Sequence, residues 1–282
     1  MSTERTPVDA EPGSAQRWVA GVEYEGTGFS GWQTQQAGVR TVQDEIVRAL
    51  SYVADHPVAV TCAGRTDAGV HAVGQVVHFD VRVQREAHAW LLGANSRLPD
   101  DVNLRWVRPV VGEFDARGSA NERIYRYVIW NRGPRSALGR HRSCWVYHRL
   151  DAVRMHEAAQ ALVGEHDFSA YRAVACQSRT PQRRVEEISV TRRDDLVWLE
   201  VRANAFLHHM VRNIAGVLIE VGKGEADVDW PRQVLETRDR TRGGVTAPAE
   251  GLYFMGVRYP DFPRIDALAR PAVEPLVPGT PL

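Results

Sequence analysis

Within CAGRTDAGVHAVGQVVHF, residues 62–79, the segment Gly64-Arg65-Thr66-Asp67-Ala68-Gly69 separates two apolar runs. Three polar side chains and two glycines gathered at one bend exceed what an ordinary turn requires. A carboxylate beside a guanidinium keeps its charge, so Asp67 next to Arg65 is equipped to act as a nucleophile or a base. The structural alternative is an Asx-turn, in which Asp67 caps backbone amides and Arg65 is a surface partner. A second group lies in FLHHMVRNIAGVLIEV, residues 206–221, whose apolar positions recur at helical spacing. His208 and Arg212 are four apart and share another face of that helix. Neighbouring His208 and His209 diverge on a helix, so the paired metal face of an HExxH helix is not encoded and no metal is expected. In ERIYRYVIW, residues 122–130, Tyr125 and Tyr127 share one face of a strand and Arg126 takes the other. Tyrosine can stack on a nucleobase, although most strand tyrosines simply pack.

These residues need elements to hold them. Alternation predicts strands over 17–24, 58–64, 74–83 and 103–111 in the first half, with helices after Thr41 and near 85–94. The second half repeats the alphabet with strands over 124–130, 185–192, 196–203 and 252–259 and helices over 151–163 and 206–221. Val76, His78 and Asp80 alternate with Val77, Phe79 and Val81, the pattern of a half-buried strand. The irregular order of elements favours an α+β fold of two α/β halves on a mainly antiparallel mixed sheet over a doubly wound parallel one. The boundaries read as a disordered segment over 1–16, halves over 17–112 and 113–260, and a Pro-rich tail from 261 to 282 that forms an extended strap.

Composition removes whole classes of function. At 282 residues and 44% hydrophobic, the chain can bury a substantial core. No run approaches the roughly 18 apolar residues of a membrane helix, and the N-terminus has no apolar signal core, so a cytoplasmic protein is expected. Cys62, Cys144 and Cys176 are too widely spaced for a CxxC zinc site and read as buried thiols. Formal charge is zero, yet eight arginines fall between Arg117 and Arg149 against one acid, Glu122. Lys223 is the single lysine, and arginine is the side chain best fitted to phosphate and base stacking. GVLIEVGKGE approaches a phosphate-binding loop, but its glycine spacing is one residue too long and Gly224 replaces the Ser/Thr.

GRTDAGVHA with GQVVHF, RIYRY, YRAVACQSRTP (171–181), NAFLHHMVRNIAG (204–216) and AEGLYF (249–254) together resemble the tRNA pseudouridine synthase A family, in order from about residue 17 to 260. The resemblance implies a cofactor-free isomerase that turns uridine into pseudouridine at positions 38, 39 and 40 in the anticodon stem-loop of tRNA. It implies two similar α/β halves facing each other across a basic cleft, and a homodimer whose tRNA touches both subunits. Asp67 then corresponds to the catalytic nucleophile, Arg65 and Arg212 to the arginines beside it, and Tyr125 to the tyrosine that contacts the target base. Asn121-Glu122-Arg123 and Asp115 stand where more basic residues would be expected. Two rival readings are a catalytically silent tRNA-binding module on the same scaffold and a metal-dependent hydrolase built on His71, His78, His208 and His209.

Overall fold

A computed structural model describes residues 15–269. The alternating apolar runs of the first half become β1 (Gln16–Tyr24), β2 (Val60–Cys62), β3 (His71–Val81) and β4 (Val102–Pro109). Those of the second half become β5 (Glu122–Asn131), β6 (Cys144–Val146), β7 (Gly164–Asp167), β8 (Gln182–Arg193), β9 (Leu196–Ala203) and β10 (Leu252–Arg258). All ten share one sheet in the order β4-β1-β3-β10-β5-β9-β8-β7, with β2 on β3 and β6 on β5. Pairing is antiparallel except where β10 meets β3 and β6 meets β5. This is the α+β class expected, on one continuous sheet.

Among the described residues six helices accompany the sheet: α1 (Val42–Ala54), α2 (Ala87–Asn95), α3 (Ala152–Ala159), α4 (Met210–Lys223), α5 (Trp230–Thr237) and α6 (Pro263–Ala269). Thr41 caps α1 by accepting from the Asp44 amide at 3.3 Å. Along β5 and β10, Tyr125, Tyr127 and Phe254 join the main core with the buried helix residues. Their alternates Val128, Trp130, Tyr253 and Met255 form a smaller cluster on the opposite face.

The last strand of the chain sits at the seam of the sheet. β10 pairs with β3 through Tyr253 opposite His71 and Phe254 opposite Ala72, and with β5 along most of its length. Farther along the same edge of β3, Val77 to Phe79 pair with β2 instead. Where β2 and β10 diverge, the loop carrying Asp67 leaves the sheet.

Several expectations need correction. β3 is not half-buried: it lies between β1 and β10, and along it only Asp80 is fully exposed. β6 and β7 are too short, and too poor in alternation, to register as elements in the sequence, and α5 is hidden because Pro231 at its start reads as a breaker. The helix expected over 151–163 ends at Ala159 and continues as a 3-10 turn through Leu162. The extended strap expected from 261 begins instead as α6, which buries Ile265 and receives Arg258 on Asp266. The rest of that tail, and the N-terminal segment up to residue 14, lie outside the described residues.

Candidate active site

The loop of residues 63–70 is held through its backbone and the Thr66 hydroxyl, which leaves the Arg65 and Asp67 side chains on the cleft. Gln75 donates to the Gly64 carbonyl at 2.6 Å and accepts from the Gly64 amide at 3.3 Å. The Tyr24 hydroxyl meets the buried Thr66 hydroxyl at 2.7 Å. From the neighbouring loop, the Trp32 amide donates to the Thr66 carbonyl at 3.0 Å. Gly69 has a φ of 77°, the left-handed region where a side chain is strained. A Cβ on Gly64 would stand 2.9 Å from the Phe254 ring.

Asp67 is not an Asx-turn residue: among the described residues its carboxylate takes ion-pair partners and no backbone amide. His208 Nε2 lies 3.3 Å from Oδ1, and His209 Nε2 and Arg212 Nη1 lie 3.5 and 3.7 Å from Oδ2. The opposing charge therefore comes from Arg212 and not from Arg65. Arg212 is oriented in turn by donating from Nε to the Ala247 carbonyl at 2.8 Å. Arg65 is exposed on the cleft wall and has no ion pair or hydrogen bond among the described residues.

The two histidines correct an argument made from helical geometry. α4 begins at Met210, four residues later than expected, because His209 adopts a left-handed φ of 62° and residues 207–210 form a turn. Off the helix, neighbouring side chains are free to converge, and the rings of His208 and His209 lie 4.0 Å apart, both facing Asp67. Burial holds the His209 imidazole below the ordinary histidine range, against the pull of Asp67. His71 and His78 take no part in this cluster.

Tyr125 stands on β5 with its ring edge-on to Phe206 and Phe254, each at 5.0 Å. Burial pushes its hydroxyl well above the ordinary tyrosine range, so it stays a neutral phenol. Tyr127 shares that face, as its spacing predicts, and donates to the Pro248 carbonyl at 2.8 Å. Phe206, Phe254 and Gln75 were invisible as site residues in the sequence, since each carries only packing or clamping chemistry.

Asp67 and Tyr125 open onto a cleft of about 1020 Å³. Five arginines line it, Arg65, Arg117, Arg123, Arg183 and Arg212, against one acid, Asp67. The basic run of 117–149 is thus divided. Arg117 and Arg123 reach the cleft, whereas Arg126 pairs with Glu200 at 2.6 Å on the opposite face of β5. Arg123 is half-buried and donates to the carbonyls of Arg117 and Asn204 at 2.8 Å, so it braces the cleft wall. Asp115 accepts from the Arg117 and Gly118 amides at 2.8 and 2.6 Å, which shapes the loop that delivers Arg117. Glu122 is neutralised by Arg202 at 3.0 Å. Cys62 and Cys144 are buried as expected, but Cys176 is only partly buried and lines the cleft.

The sequence profile described as tRNA pseudouridine synthase matches residues 20–117 and 158–260. The chain belongs to this family. Asp67, Arg65 and Arg212 fall inside the matched ranges and Tyr125 between them. The tRNA pseudouridine synthase A of Methylococcus capsulatus is 57% identical over 245 residues, covering 87% of this chain and 90% of that protein. The synthase A of Coxiella burnetii is 52% identical, covering 86% and 93%, and that of Nitrosococcus oceani is 52% identical, covering 90% and 98%. Among the described residues no helix is long and apolar enough to cross a membrane.

His71, in the same family motif, ties the site loop to the seam. Its Nδ1 accepts from the Gly26 amide at 3.0 Å, Nε2 faces the Glu250 carbonyl at 3.2 Å, and the ring stacks on Tyr253. Burial outweighs the attraction of Glu25 and lowers its pKa. The unfolded chain takes up this proton near pH 6.5 and the folded site resists it, so the unfolded state binds more protons there. Stability at this site therefore falls as pH drops below about 6.5. In His71→Asn the acid-dependent part is expected to vanish, so the wild-type advantage in urea midpoint at pH 7 narrows progressively toward pH 5.

Proposed function

We propose that this chain isomerises uridine to pseudouridine at positions 38, 39 and 40 in the anticodon stem-loop of tRNA, with Asp67 as nucleophile. The observation that carries this reading is a single carboxylate, clear of backbone hydrogen bonds, facing an arginine-lined cleft beside a buried tyrosine. Family membership makes the chain an isomerase acting on tRNA.

The reaction breaks the N1–C1′ bond, turns the uracil and joins C5 to C1′; the C5 proton leaves and N1 takes one up, so the product is an isomer of the substrate. No net redox change or hydrolysis occurs, and a carboxylate suffices as the reacting group. Asp67 can attack C1′ as a glycosidase carboxylate does, or attack C6 of the base, or the reaction can run through a glycal after loss of a C2′ proton. A uridine stacked in a stem cannot reach a carboxylate on a loop, so the nucleotide is flipped out, at a cost of a few kcal/mol. Arg65, free and exposed, is suited to fill the vacated space and meet phosphate. Tyr125 stacks on the flipped base and retains it while it is detached. Arg212, fixed on Ala247, orients Asp67. The enzyme acts in the cytoplasm as a homodimer whose two copies share the tRNA.

The test incubates purified protein and EDTA with an unmodified tRNA transcript, then maps pseudouridine by carbodiimide adduct and primer extension. Stops confined to the 3′ side of the anticodon arm are expected. Intact tRNA binding without stops would leave a binding module instead. Several arginine–phosphate contacts should lower tRNA affinity by about tenfold or more between 50 and 200 mM salt, as filter binding would read.

A further inference from the structure

We infer that Asp67, His208 and His209 form a reversible site for a zinc-like divalent ion that inhibits the enzyme by capturing its carboxylate. One donor atom from each residue lies within 4.8 Å of the other two. Zinc bonds of about 2.0–2.2 Å at tetrahedral angles set donor atoms about 3.3–3.5 Å apart. His208 Nε2 stands 3.3 Å from Oδ1, the length of one edge of a zinc tetrahedron, and His209 Nε2 stands 3.5 Å from Oδ2 of the same carboxylate, so the donors are gathered at nearly the required spacing before any ion arrives.

The donors are held from two sides. Asp67 stands on the loop clamped by Gln75 and Tyr24, and the histidines stand on the turn whose carbonyls accept from the Ala173 and Asn213 amides at 2.9 Å. Side-chain exposures of 24%, 40% and 29% for Asp67, His208 and His209 leave the cleft side open to water as a fourth ligand. Arg212 opposes the ion, yet it faces Oδ2, so an ion on Oδ1 leaves that contact in place. Two imidazoles and one carboxylate suit Zn²⁺, Co²⁺, Ni²⁺ or Cu²⁺, whereas Mg²⁺ and Ca²⁺ require more oxygen ligands. The inhibitory consequence rests on the proposed role of Asp67; the binding does not.

Co²⁺ and Zn²⁺ are titrated into full-length protein, reading the visible absorption of four-coordinate Co²⁺ and Zn²⁺ stoichiometry by equilibrium dialysis, with pseudouridine formation followed in parallel. A single ion per chain is expected, undisturbed by excess Mg²⁺, with turnover lost in proportion to occupancy and restored by EDTA. His208→Ala and His209→Asn, the latter chosen because asparagine tolerates a left-handed φ, should each weaken binding by more than the roughly 10- to 100-fold that losing an outer-shell partner costs. Equal binding by wild type and the double variant, with both folded by circular dichroism, would assign the ions to other histidines or cysteines and overturn the site. A site that fills without slowing turnover would overturn the inhibition. Absence of pseudouridine in metal-free controls would instead fail the isomerase reading, and the binding data would still decide the metal site.

Discussion

Asp67→Asn is expected to abolish pseudouridine formation while leaving the fold and tRNA binding intact. The loop keeps its shape through Gln75, Tyr24 and Trp32, whose hydrogen bonds do not involve the Asp67 side chain, so the fold should hold, with a loss of about 1 kcal/mol as Arg212 gives up its ion-pair partner. The amide fits the space of the carboxylate but cannot form the covalent bond or accept the proton. Loss of a nucleophile or its activating partner lowers turnover by roughly 10⁴-fold or more. Affinity for tRNA should hold or rise, because the one negative group in an arginine-lined cleft is gone. Single-turnover kinetics on a tRNA transcript, with filter binding alongside, separates the two effects. A rate within tenfold of wild type would remove Asp67 from the nucleophile's role.

Gly216→Ala is expected to destabilise the protein although helix propensity predicts the reverse. In an exposed helix the exchange gains about 1 kcal/mol. Gly216 lies inside α4, where a Cβ would stand 1.9 Å from the Val245 carbonyl oxygen, a backbone atom that cannot swing aside. Either α4 or the segment 245–247 must move, and overpacking of this kind costs about 3 kcal/mol. The same segment supplies the Ala247 carbonyl that orients Arg212, so activity should fall beyond the loss explained by the unfolded fraction. Urea unfolding gives the first quantity and turnover well below the transition gives the second. A variant as stable as wild type would mean that the contact relaxes freely.

The fold class was legible because long alternating runs such as IYRYVIW and LVWLEVRA carry the strand period without ambiguity. β6 and β7 were not, since three or four residues hold too little alternation, and α5 was hidden because Pro231 at its start reads as a breaker. Asp67 stood out through the types around it, and Arg212 through its place on the apolar helix. His208 and His209 were misjudged because one left-handed residue, His209, turns the pair toward Asp67, and periodicity carries no trace of that dihedral. Arginine number alone could not sort the residues of the 117–149 run that reach the cleft from those that do not. Arg126 spends its charge on Glu200 across a neighbouring strand, a pairing that only the register reveals.

β10 fills the gap between β3 and β5 and comes from the end of the chain. During synthesis, β3 and β5 emerge before the strand that joins them, and each must wait with part of one edge unpaired. Contacts separated by about 180 residues, Tyr253 with His71, close last, which makes folding slow compared with assembly from local pairs. A ribosome that stalls short of Leu252 therefore leaves Phe254 missing from the wall around Tyr125 and the seam unsealed, so such a chain is exposed to proteolysis. The wall around Tyr125 is thus closed only after nearly the whole of the sheet has been made.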